Sequence, residues 1–280
     1  MKQKLLSLYG LKFHPFRPDV PIDALYTLPD VDVFCRRVEF AINDGGFVMI
    51  TGEPGTGKSV AVRILAHRLS AQRDVVTGCI DHPQSRVSDF YRELGDIFGV
   101  PLPTHNRWTG FKGLRTRWSE HIASTLTRPV LIIDESQEML STVLNELRIL
   151  ASKEFDSRSL LCVVFAGDNR LPERFRHPDL LPLGSRIRRR LVLDYASRDD
   201  LCSCLDHLLK AAGNTALMST QLKTTLAEHA AGNYRVMMNL ADELLVTAAE
   251  RELDKLDEKL FFEVFAPPAT TKKKTASRKG

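Results

Sequence analysis

Residues 52–59 read GEPGTGKS and fit the pattern G-x-x-x-x-G-K-[ST]. No other feature of the chain constrains its fold as much. Gly52, Gly55 and Gly57 let the backbone curl until successive N–H groups point at one anion. Such a loop belongs between a buried strand and the start of a helix, whose dipole adds to the field on a phosphate chain. Both flanks are present. Phe47–Thr51 (FVMIT) is a short apolar run that reads as a buried strand, and Ser59–Leu69 carries Val62, Leu65, Ala66 and Leu69 at helical spacing. Lys58 is placed to reach the β- and γ-phosphates as a point charge, and Ser59 to hold Mg²⁺. The cofactor-binding stretch is therefore Gly52, Glu53, Pro54, Gly55, Thr56, Gly57, Lys58, Ser59 and Val60.

The other half of the site is VLIIDE, residues 130–135, about 75 residues further on. A carboxylate leaving the end of a buried strand sits beside a metal held at the first loop, which gives Asp134 the metal-side role. Glu135 is then free to orient and polarise an attacking water. No Asn-Lys-x-Asp guanine-reading motif occurs, which favours ATP over GTP. The chemistry expected is Mg²⁺-dependent hydrolysis of ATP to ADP and phosphate.

Further strands are predicted at Val75–Ile80, Val130–Asp134, Leu160–Ala166 and Arg189–Leu193, each nearly apolar throughout. Helices are predicted between them at Val87–Phe98, at Phe111–Leu126, and from a Ser141 or Thr142 cap through Ala151. Apolar strands alternating with helices specify an α/β fold: a parallel five-stranded sheet covered on both faces, three layers in all. After residue 196 the pattern is wholly helical, with helices expected at Arg198–Ala212, Ser219–Ala231, Arg235–Leu253 and Asp257–Phe265. The organisation this implies is an N-terminal segment (1–40), an α/β nucleotide-binding domain (41–196), a small helical lid (197–266) and a disordered basic tail (267–280).

Composition narrows the class. The chain has 280 residues, 43% apolar and 26% charged, which excludes wholly disordered, collagen-like and disulfide-scaffold proteins. No apolar run approaches the roughly 18 residues of a membrane span, and the N-terminal stretch is too short for a secretory signal. Five scattered cysteines without a CxxC pair read as free thiols, so a cytoplasmic protein without a membrane partner is expected. The formal charge of +4 is misleading, because the tail holds five basic residues and no acid. Without the tail the balance is −1, and only local clusters can speak for nucleic acid.

Two arginine features and one mixed cluster stand out. SRIRRR at 185–190 precedes the last predicted strand, and GNYR at 232–235 opens a lid helix. A guanidinium aimed at a γ-phosphate stabilises transition-state charge, whereas a solvated basic turn is the plain alternative. HNRWTGFKGLRTRW at 105–118 interleaves Arg107, Lys112, Arg115 and Arg117 with Trp108, Phe111 and Trp118. Basic groups among aromatics suit a surface that tracks a DNA backbone. An amphipathic helix with core aromatics and solvated arginines reads the same way.

Together these motifs resemble AAA+ ATPases of the ExeA/TnsC type, over Tyr9 to about Phe265. YGLKFHPF at 9–16 is similar to that family's N-terminal segment, which implies that Pro15 and Phe16 lie near the adenine. VLNELRIL at 143–150 and LLCVVFAGDNRL at 160–171 resemble the stretch after the acidic pair. The resemblance implies an AAA+ fold with Lys58, Ser59, Asp134 and Glu135 binding and hydrolysing ATP·Mg²⁺. It implies Arg186 as a finger acting across a subunit boundary, Arg235 as the lid sensor, and a polar sensor at Asp168 or Asn169, with Asn169 the cofactor-side residue. Fingers in trans imply a homo-oligomer, either a ring or a helical filament. The family includes ATPases that choose target DNA for a transposase or integrase, binding duplex DNA without sequence preference, and secretion-pathway ATPases. A nucleotide-switched scaffold with little hydrolysis is a further alternative.

Overall fold

A computed structural model describes residues 2–101 and 107–265 of the chain. The apolar runs become strands β1 (Gly46–Gly52), β2 (Val75–Ile80) and β3 (Arg128–Ile133). Two short strands follow, β4 (Ser152–Lys153) and β5 (Arg158–Ser159), then β6 (Cys162–Gly167) and β7 (Ile187–Leu193). Five of them form one parallel sheet in the order β2-β3-β6-β1-β7, while β4 and β5 make a separate antiparallel hairpin. The central strand β6 is buried along its whole length, as a strand covered on both faces must be.

Helices α1 (Lys2–Leu8) and α2 (Pro29–Ala41) precede the sheet. Within it come α3 (Lys58–Ser70), α4 (Val87–Phe98), α5 (Arg107–Ser124), α6 (Ser141–Ala151), α7 (Arg170–Arg174) and α8 (Leu181–Gly184). The C-terminal region is helical, as expected: α9 (Arg198–Ala212), α10 (Thr220–Ala230), α11 (Tyr234–Glu250) and α12 (Glu258–Phe265). On one face of the sheet, β1, β3 and β6 residues Val48, Ile50, Val130 and Val164 join α2, α3 and the C-terminal helices in a single apolar cluster. The other face packs Met49, Leu131 and Phe165 against α4, α5 and α6.

Several elements differ from the sequence expectation. The helix predicted from Phe111 starts at Arg107 and ends at Ser124, just before Leu126 turns into the left-handed region (φ 57°). The strand predicted from Leu160 starts at Cys162, because Leu161 ends the return from the β4–β5 hairpin. Neither Ser141 nor Thr142 caps α6. Leu140 holds the N-cap position without a side-chain bond, and Ser141 Oγ accepts from Arg174 instead, at 3.4 Å. Helix α2 was not anticipated, although Pro29 at its first turn and Val31, Phe34, Cys35 and Val38 on one buried face are ordinary helix signals. His105 and Asn106 of the basic-aromatic cluster, and the tail 267–280, lie outside the described residues.

Because the five strands are parallel, all their C-terminal ends open on one edge. The loops after β1, β3 and β6 therefore meet there, the usual place for a ligand in an open α/β sheet.

Candidate nucleotide-binding site

The loop after β1 turns on Gly55 and Gly57, both left-handed at φ 88° and 100°. A Cβ on Gly57 would meet nothing within 4 Å, so open space lies over the loop where phosphate would sit. A Cβ on Gly55 would collide with the Asn233 side chain. Lys58 is 9% exposed, and its Nζ donates to the carbonyls of Gly52 (2.7 Å) and Glu53 (3.0 Å). Burial lowers its pKa, while the charges of Glu135, Asp168 and Asp134 act in the opposite sense. The Ser59 side chain is exposed at the first turn of α3.

The acidic pair faces this loop from the end of β3. Asp134 is half-buried, and its N–H donates to the Ile80 carbonyl at 2.9 Å, which ties it, one residue past β3, to the end of β2. Burial raises its carboxyl pKa and the Glu135 charge adds to this, whereas the Glu135 N–H bond (2.9 Å) and Lys58 pull it down. A divalent cation would relieve that burden. Among the described residues no three His, Cys, Asp or Glu side chains converge as a metal-holding group. The half-buried Asp134 carboxylate is the kind of oxygen donor Mg²⁺ takes, since that ion binds through one or two protein oxygens and the phosphates it accompanies. Glu135 itself sits in the left-handed region (φ 49°, ψ 36°), a conformation that costs a non-glycine residue about 1–3 kcal/mol and persists only where surroundings impose it.

Those surroundings include Gln137, a residue the sequence reading missed. Its side chain is buried, with Nε2 2.5 Å from Glu135 Oε2 and Oε1 accepting from the Asp168 N–H at 3.2 Å. The loop after β6 completes the edge. The Asp168 carboxylate accepts from the Arg170 N–H (2.9 Å) and Nε (2.8 Å), and Arg170 reaches on to Glu138. Burial would raise the Asp168 carboxyl, but those bonds hold it below the usual range. Asn169 Nδ2 donates to Glu53 Oε1 of the phosphate loop at 2.6 Å.

Residues 42–175, which hold all of these groups except Asn233, match the AAA domain family. Over that stretch, just under half of its length, the chain is similar to AAA domains. It is 29% identical over 255 residues to General secretion pathway protein A of Aeromonas hydrophila, a match covering 89% of this chain. The chain spans 46% of that relative's length. Among solved structures, the Aeropyrum pernix ORC2 protein in its ADPNP–ADP complexes superimposes with a TM-score of 0.69 at 14% identity, covering 89% of this chain and 70% of that one. The A. pernix ORC1 protein in complex with DNA gives 0.68 at 16%, covering 89% and 67%. At such identities these likenesses establish the P-loop AAA+ fold.

The helical region docks directly on the phosphate loop. Tyr234 N–H donates to Gly55 at 3.0 Å and Asn233 Nδ2 to Pro54 at 2.9 Å, while Asn233 Oδ1 caps α11 through the Val236 N–H. Arg235 is exposed on the first turn of α11, near enough for its charge to act on Lys58. Pro15 and Phe16 are buried, with Phe16 in the cluster shared with the C-terminal helices. Their strap is tied to α3 by Arg63, which donates to Pro18 and Val20 at 2.9 and 2.8 Å. On the other side His14 Nε2 lies 3.1 Å from Asp242 of α11.

Arg186 lies elsewhere. Leu193 pairs with Gly52 at the nucleotide edge and Ile187 with Phe47 at the opposite edge. Six strand steps separate them by about 20 Å, beyond an arginine's reach. At that far edge Arg186 donates to the Pro182 carbonyl and pairs with Asp156 of the β4–β5 hairpin. It lines a cavity of about 700 Å³ with Arg128, Arg148, Arg158 and Arg188.

The basic-aromatic cluster divides. Arg107 pairs with the buried Glu146 at 2.5 Å, and Arg115 donates to the carbonyls of Ile149 (3.1 Å), Leu150 (3.3 Å) and Ser152, capping the C-terminus of α6. Trp118 is wholly buried. Both arginines are thus engaged within the molecule, which leaves Lys112 and Arg117 as the cations to consider for DNA. Trp108 is 61% exposed, stacked on Phe111 with Lys112 4.9 Å over its ring.

Proposed function

We propose that this chain is a Mg²⁺-dependent ATPase whose protomers share ATP sites and assemble on duplex DNA to assist a transposase or integrase in choosing its target. The facing of Lys58 by Asp134 and Glu135, with Glu135 held in a left-handed turn, carries the hydrolytic half of this reading. Lys58 and the loop N–H groups would hold the β- and γ-phosphates, Ser59 and Asp134 the metal, and Glu135 would take the proton of the attacking water. Magnesium, when bound, supplies charge neutralisation between the terminal phosphates. Asn169 would exchange Glu53 for phosphate, Arg235 would report it to the lid, and Pro15 and Phe16 would back the adenine side.

The position of Arg186 at the far edge of the sheet supports a finger that serves a neighbour's site. Arg186→Ala is expected to leave ATP affinity within about twofold and slow turnover roughly a thousandfold. Mixing it with a Lys58→Ala protein, which still carries the finger, should restore hydrolysis that neither shows alone. If turnover is unchanged, the finger is a neighbouring arginine such as Arg188.

Duplex DNA as the partner is supported by Lys112, Arg117 and exposed Trp108 on α5, and by a fold shared with a protein solved in complex with DNA. Substituting Lys112 and Arg117 together by alanine is expected to weaken binding to all duplexes alike. The slope of log K against log salt should fall by about 2. An unchanged slope would remove α5 from the interface. The similarity to General secretion pathway protein A supports a second reading, an ATPase of envelope secretion. ATP-dependent assembly on duplex DNA at low salt favours the first; absence of any duplex binding leaves the second.

A further inference from the structure

We propose that Gln137 is a positioning residue of the hydrolytic site, holding Glu135 in place and coupling it to the loop that carries Asp168 and Asn169. This rests on the ATPase reading above. The orientation of the Gln137 amide is fixed by its partners, since a carboxylate only accepts and a backbone N–H only donates. Nε2 therefore points to Glu135 Oε2 and Oε1 to the Asp168 N–H. Gln137 is 7% exposed, so its own amide has little access to water as a substitute partner. Its backbone is anchored as well, because Arg174 donates to the Gln137 and Met139 carbonyls. On the far side of the loop Asn169 grips Glu53 at 2.6 Å. A continuous chain of contacts thus runs from the phosphate loop through Asn169, Asp168 and Gln137 to Glu135. When Asn169 leaves Glu53 for a phosphate, the Asp168 N–H moves with it and Gln137 carries the displacement to the carboxylate.

Two variants separate the two bonds. Gln137→Glu keeps an acceptor for the Asp168 N–H but removes the donor to Glu135; Gln137→Met removes both at nearly constant volume. Each is expected to bind ATP within about twofold of the parent while kcat falls about tenfold to a hundredfold, as a misplaced reacting group does. A residue that merely filled space would shift ATP affinity or melting temperature before this ratio. The decisive step is single-turnover hydrolysis in a Glu135→Gln background. There Gln137→Met should cost less than about twofold, because the group it positions is already disabled. Parental kcat in Gln137→Glu, or full multiplication of the two losses in the double variant, overturns the assignment and leaves the ATPase reading intact. A parent chain that binds ATP without ever hydrolysing it overturns both.

Discussion

Replacing Lys58 by alanine is expected to lower ATP affinity at least about a hundredfold and to abolish every ATP-dependent change in oligomeric state. The ammonium sits among the charges of Glu135, Asp168 and Asp134, and the phosphate loop has no other lysine or arginine. Without it, a polyanionic ligand approaches that acidic edge with only the loop's N–H groups and the more distant Arg235 to receive it. The fold should tolerate the change. Of the two carbonyls that Lys58 releases, Glu53 still accepts from the Thr56 hydroxyl at 2.9 Å and the Thr56 N–H at 3.3 Å, so the buried Gly52 carbonyl alone loses its side-chain partner. Isothermal titration with ATP·Mg²⁺ and a melting curve measure the two effects separately. Affinity close to the parent's would mean that the triphosphate does not bind at this loop. A melting temperature lowered by more than a few degrees would show that Lys58 stabilises the fold as well.

Legibility followed the range of the interactions involved. Strands β2 and β6 and helices α4 and α9 were readable because apolar periodicity and flanking turn residues act within a dozen positions. The nucleotide-binding fold was readable for a related reason: its phosphate loop is an eight-residue contiguous segment, and Asp134 needs only a strand to precede it. Gln137 was not. Its partners are two and 31 positions away, and nothing local marks a glutamine after DES as bonded to a later loop. The only available signal was a polar side chain in a turn between two apolar segments.

Arg107 and Arg115 have partners within the molecule that the sequence does not reveal. As bare sequence, four cations among aromatics suggest a phosphate-tracking face, because composition does not tell a carboxylate partner from a DNA one. Glu146 lies 39 residues from Arg107, and Arg115 meets the end of α6 only once α5 has packed against it. Helix α2 differs again. Its signals are local and ordinary, Pro29 in the first turn and an apolar face at helical spacing, and no chemistry-bearing motif adjoins them.

Glu135→Gln is expected to keep ATP binding, reduce hydrolysis about a hundredfold to ten-thousandfold, and trap the ATP-bound oligomer. The substitution preserves volume and leaves the left-handed turn at φ 49° to be held by the same backbone. It removes a negative charge beside Asp134 and Lys58, so the ligand's own negative charge meets less repulsion and affinity should be equal or tighter. What is lost is the group able to accept the water's proton. The Gln137 amide would then face another amide, a contact that remains satisfiable because an amide oxygen also accepts. Binding and chemistry are thus separated by one atom, which the Lys58 substitution cannot do. Phosphate release together with light scattering in ATP·Mg²⁺ checks both parts. Release at the parental rate would show that some other group polarises the water, and a rapid return to monomer would show that hydrolysis does not govern disassembly.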